Sequence, residues 1–117
     1  MDGWQKAKFE IEDAYRAREN LNEGMARVCA RRAAGAALEA YLSAKNLPVP
    51  SHNAFNLLKI EQGSSFLPPN LNLILGHLTL RVDVNHSLPA GVDLLQETTD
   101  FINILKNTCP DEESNGE

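Results

Sequence analysis

The residues best equipped for chemistry lie in RVDVNH, where Arg81 and His86 stand five positions apart with Asn85 between them. A histidine titrates near neutrality and can give or take a proton at physiological pH. An arginine offers a planar pair of donors that stabilises negative charge on phosphate, and the amide of Asn85 can join it there. On an ideal helix five positions turn through about 140°. Arg81 and His86 therefore share no face unless a helix ends near Asn85 and His86 swings back. The same residues also read as an exposed arginine, a helix-end asparagine and a histidine at the negative end of a helix dipole. Spacing alone leaves both readings open.

The other chemically capable residues are fewer. Arg27, Arg31 and Arg32 form the one basic cluster. Arg27 and Arg31 share a helical face and can receive phosphate from RNA or a nucleotide; the alternative is a solvated edge paired with acids such as Asp13, Glu19 or Glu23. His77 lies one turn before Arg81, which either extends a polar groove or makes it a satisfied surface histidine. His52 follows Pro50-Ser51 and reads as part of a helix start. The histidines are far apart and the two cysteines, Cys29 and Cys109, are distant from each other, so no zinc pattern or disulfide framework is expected. There is no phosphate-cradling glycine loop, no Ser-His-Asp set and no plausible carboxylate pair. No metal or cofactor is expected.

These residues must be positioned by helices. Trp4, Ala7, Ile11, Ala14, Tyr15 and Leu21 recur at helical spacing over 4–22, with a break or bend near 22–24 at Gly24, or a helix continuing through it. A second helix over about 25–45 carries Ala26, Ala30, Ala33, Ala37, Ala40 and Ala44 in one stripe, which lets another helix pack close. Met25, Cys29, Leu38, Tyr41 and Leu42 supply its other contacts, and Pro48 and Pro50 force extended backbone beyond it. Ser51 is the expected N-cap of a short third helix with Ala54, Phe55, Leu57, Leu58 and Ile60 apolar. A fourth runs over 70–82 through Leu71, Ile74, Leu75, Leu78 and Val82; Thr79, Leu80 and Val82 favour a strand locally, but the helical period wins because no partner strand is visible elsewhere. The last covers about 90–107 through Val92, Leu95, Phe101, Ile102, Ile104 and Leu105.

The chain has 117 residues, 43% of them hydrophobic and 23% charged, which fits one ordinary globular domain. The fold class expected is all-α: a four- or five-helix up-and-down bundle over residues 1–109. The net charge is −5, and four acids fall in 110–117; that stretch reads as an acidic, disordered tail. Without it the domain is nearly neutral, unlike a dedicated duplex-DNA binder. No apolar run approaches the roughly 18 residues of a membrane span. The charged N-terminus does not read as a signal peptide, so a cytoplasmic location is expected.

The order of features resembles the HEPN family, the small helical domains named for higher eukaryotes and prokaryotes nucleotide-binding. The Trp4-led first helix, the turn at Gly24 and RRAAGAALEAYL follow that family's first two helices, whose second pattern is usually written QAAEKALKAYL. Arg32 takes the Gln place, and Gly35 and Ala36 take the Glu-Lys places. His52 with Leu57-Leu58 is similar to its third helix. RVDVNH falls where members carry either an Arg-x4-His motif or a related Arg-Tyr-Pro-Asp sequence. The resemblance spans roughly residues 4–107 and implies a helical bundle. A homodimer is expected because a bundle this small, with an alanine stripe and spare apolar positions on several helices, buries more by pairing; the alternative is that the stripe serves an intrachain contact.

It also implies two activities to weigh. In nuclease members, paired protomers bring Arg and His into a shared cleft and cleave RNA without metal. His86 would then move protons to and from the 2′-hydroxyl and leaving oxygen, while Arg81 stabilised the pentavalent phosphate. Such toxins of toxin–antitoxin pairs often partner a small nucleotidyltransferase. Here Val82 follows Arg81 where nucleases commonly carry a polar residue, and Gly35 replaces the patterned Glu. Those departures favour a homodimeric, regulatory module that binds nucleotide or RNA phosphate through Arg81, Asn85, Arg27 and Arg31. A purely structural partner for another helical protein is the third reading.

Overall fold

Five helices make up the architecture of the described residues, and no strand occurs among them. The structure is a computed structural model that describes residues 2–62, 67, 70–79 and 93–108. The helices are α1 (Gly3–Glu19), α2 (Glu23–Ala44), α3 (Ala54–Glu61), α4 (Asn70–Thr79) and α5 (Leu94–Thr108). The all-α bundle expected from periodicity is what the chain forms.

The alanine stripe explains the bundle's first step. Ala26, Ala30, Ala33 and Ala37 are fully buried, and α1 answers them with its own small residues, Ala7 and Ala14. A Cβ on Gly3 would stand 2.9 Å from the Ala40 Cβ and 3.0 Å from the Ala36 carbonyl oxygen. Such an approach tolerates no side chain, so α1 and α2 pack backbone to backbone as an antiparallel hairpin. The stripe is thus consumed within the chain. The long α2 then touches every other helix, its Leu38, Tyr41 and Leu42 meeting a core of leucines from α3, α4 and α5 around Phe101. Buried hydroxyls are satisfied locally: Thr79 and Thr98 donate to the carbonyls of Leu75 and Leu94 at 2.9 and 2.7 Å, which removes the cost of burying them.

The break between the first two helices falls earlier than Gly24. Asn20 caps α1, Leu21 adopts φ 61°, and the Asn22 side chain accepts the Met25 N–H to open α2. Gly24 belongs to the first turn of α2. Two asparagines that cap helices well outweighed the glycine as punctuation. Leu21 is consequently 93% exposed and Met25 45%, so neither is the core contact its spacing predicted; Tyr15, too, is exposed. A leucine in the left-handed region is strained. Leu21→Gly should therefore raise stability by about 0.5–1 kcal/mol, read as a higher midpoint in urea with an unchanged slope.

Other boundaries shift by the same logic. Asn53, not Ser51, caps α3, its side chain accepting the Asn56 N–H at 3.0 Å, while Ser51 Oγ accepts the Asn53 N–H at 3.1 Å. Ile60 is half-exposed because it falls on the outer side of a two-turn helix. The last helix begins at Leu94, after Asp93 accepts N–H bonds from Leu95 and Gln96. The proposed extensions over 80–82 and 90–92, and the acidic tail 110–117, lie outside the described residues.

One polar clasp ties three elements. Arg18 bonds both oxygens of Glu23, at 3.2 and 2.7 Å, and reaches Asp93 Oδ1 at 3.0 Å. The bond from Arg18 holds the Glu23 carboxyl below its usual range. Burial pushes the Asp93 carboxyl up, but the Arg18 bond and backbone donors outweigh it and its net shift is downward. Depressed carboxylates stabilise the fold above their unfolded values near 4 and lose that contribution as pH falls through their folded values. The clasp is half-exposed, so its worth is about 1 kcal/mol. Arg18→Ala should lose that amount at pH 7 and show a flatter decline of stability below pH 4, measured by urea melts across pH.

Candidate functional site

Along α2, Val28, Arg31, Arg32, Gly35, Ala36 and Glu39 recur at helical three- and four-residue steps, so they share one face. Above this face lies a groove of about 490 Å³, walled on one side by α1 and on the other by the start of α3. From α1 come Gly3, Lys6 and Glu10, the last two one turn apart; His52 and the N-cap Asn53 lead into α3, which adds Ala54 and Phe55. Two glycines create it. Gly3 draws α1 onto α2, and a Cβ on Gly35 would meet the Ala54 Cβ at 2.7 Å and its Cα at 3.0 Å, so the first turn of α3 sits directly against α2.

Its charges are mixed, three cations (Lys6, Arg31, Arg32) against two carboxylates (Glu10, Glu39). The N-terminal ends of α1 and α3 both border it, bringing the positive ends of two helix dipoles together. Lys6 and Arg32 contribute charge and join no ion pair among the described residues. Arg31 is held more firmly: its Nε donates to the Leu78 carbonyl at 2.8 Å, and its guanidinium stands over the Phe55 ring, 5.8 Å from the centroid. It joins α2 to the end of α4 and to α3 while lining the groove. Opposing charge comes from Glu10 and from Glu39, whose Oε2 lies 2.7 Å from His52 Nδ1.

The sequence-predicted residues divide. Arg31 and His52 are in the groove. Arg27, one turn before Arg31, is half-buried outside the groove's lining and acts on the Glu23 carboxyl. Among acids considered as partners for the arginines, Asp13 pairs with Arg16 and Glu23 with Arg18. His77 is part-buried, its Nδ1 2.7 Å from Glu97 Oε1; it locks α4 to α5. Arg81, Asn85 and His86 lie outside the described residues, as do Val82 and Cys109. Cys29 is buried, and burial pushes its thiol up, which makes it an unreactive core residue.

Sequence reasoning missed Lys6, Glu10, Glu39 and Phe55. The polar run Arg31, Arg32, Glu39 along one face of an alanine-rich helix was the available signal; nothing local linked it to Lys6 or His52. Among the described residues no cluster of histidine, cysteine, aspartate or glutamate could hold a metal ion, and no helix is long and apolar enough to cross a membrane. In comparisons with known proteins, no family model, no curated protein and no solved structure matches the chain.

Proposed function

We propose that this chain is a HEPN-like helical module that binds the phosphate of a nucleotide or RNA without turning it over, working as a regulatory homodimer in the cytoplasm. The observation that carries this reading is the convergence of Lys6, Arg31 and Arg32 on one groove at the starts of α1 and α3. Fixed cations beside helix N-termini are the common chemistry of phosphate sites. The acidic balance of the chain, −5, supports recognition of a compact anion over coating of a long duplex. The dimer is supported by exposed apolar side chains on separate helices, Phe9, Ile60 and Leu73 among them, since pairing would cover part of that surface. Binding of a labelled single-stranded RNA and of nucleotides, followed by polarisation across salt, tests the module; no binding at low salt overturns it. Sedimentation showing only monomer at tens of micromolar removes the dimer.

A metal-independent ribonuclease using Arg81 and His86 is the second reading, with an antitoxin or nucleotidyltransferase as partner. Its support is the Arg31 bond to Leu78, which brings a basic helix to the end of α4, three residues before Arg81 in the sequence. Cleavage of RNA in EDTA that vanishes in both Arg81→Ala and His86→Ala would establish it. If wild type and both variants are equally inert, turnover is excluded.

A further inference from the structure

The groove histidine, His52, is held by a carboxylate and yet open to solvent. Its Nδ1 lies 2.7 Å from Oε2 of Glu39, and a carboxylate only accepts, so Nδ1 is the donor. The other ring nitrogen, Nε2, has no partner among the described residues, and the side chain is 82% exposed. Protons therefore come and go at Nε2 without breaking the bond that fixes the ring. Glu39 also offsets the repulsion between an imidazolium and the positive end of α3.

We propose that the Glu39–His52 pair makes anion binding in this groove proton-linked: His52 takes up a proton at Nε2 as the anion binds, and affinity rises as pH falls. This rests on the phosphate-binding reading above and adds regulation to the same site. With His52 neutral, Lys6, Arg31 and Arg32 face Glu10 and Glu39, a net charge of +1; with His52 protonated it is +2. The cap Asn53 and the α3 residues Ala54, Phe55 and Leu57 add no titratable group to the lining. An imidazole changes charge between about pH 5 and 8, a range in which lysine, arginine and carboxylate side chains ordinarily keep theirs. The order of the charges along the groove is immaterial, since in 0.1 M salt each acts over about 10 Å. Linkage is reciprocal: the factor by which the proton tightens the anion is the factor by which the anion tightens the proton.

The test uses anions whose own charge is constant across this range: inorganic sulfate, and a short oligouridylate without a terminal phosphate. Calorimetric titration of the full chain in buffers of different ionisation enthalpy reads proton uptake directly. Affinity should be about fivefold higher near pH 5.5 than near pH 8, with a fraction of a proton taken up between them. His52→Gln should abolish the uptake and flatten the profile at the weaker affinity, although His77 and His86 remain. His52→Lys should flatten it at the tighter one. The side chain is exposed, so both variants should keep a native circular dichroism spectrum. Uptake with sulfate alone supports the linkage for a free anion, and with the oligonucleotide alone for a nucleic-acid phosphate. Anion binding that is independent of pH, or uptake that persists in His52→Gln, overturns the proposal and leaves the phosphate-binding module standing. If neither probe binds at any pH, both fall.

Discussion

Phe101→Ala should cost about 3–5 kcal/mol of folding stability. Phe101 is fully buried and is the largest such side chain among the described residues, set on α5 where that helix meets α2. Truncation leaves a cavity that surrounding leucines can fill only by moving helices. Because the loss rivals the whole stability of a small domain, Phe101→Leu belongs in the same experiment: it retains most of the volume and should unfold cooperatively at a midpoint between wild type and the alanine variant. Equal midpoints for the wild type and the alanine variant would mean that α5 is not part of the core.

Gly35→Leu should destabilise the fold by about 1–3 kcal/mol and abolish the proposed anion site. A Cβ there already falls 2.7 Å from the Ala54 Cβ and 3.0 Å from backbone, and backbone cannot yield as a flexible side chain does. The α3 start must move away from α2, carrying His52 and Phe55 out of the groove. Gly35→Ala separates two effects of opposite sign: alanine gains about 1 kcal/mol of helix propensity over glycine, while the clash with Ala54 opposes it. Phosphate affinity in Gly35→Leu should fall more than tenfold, with helicity retained. Unchanged affinity would show that the spacing of α2 and α3 does not define the site.

The two variants probe different kinds of information. Phe101 could be named from the sequence, since Leu95, Phe101, Ile102 and Leu105 repeat at helical intervals and must face something apolar. Gly35 could be noticed only as a departure within an alanine-rich helix; its reason, the arrival of Ala54, is a tertiary fact. Misplaced boundaries have a similar origin. At Asn20–Asn22 a backbone C-cap and the side-chain cap of Asn22 competed with Gly24 for the same break, and local propensity ranks such competitors without deciding between them. Leu21 and Met25 were misread because the periodicity of a face says nothing about where that face runs out of neighbours.

Helix identity, the alanine stripe and the apolar faces followed from residue order, because a helix's period is written in neighbours three and four apart. The charges of Lys6, Arg32, Glu39 and His52 were equally plain as letters. Their assembly was not: α1 lies close on α2 because Gly3 meets Ala36 and Ala40 without a side chain, and α3 because Gly35 meets Ala54 in the same way. Side-chain chemistry is local and periodic, whereas a groove is set by the spacing and rotation of three packed helices. Those are decided by the volumes that fill the core between them.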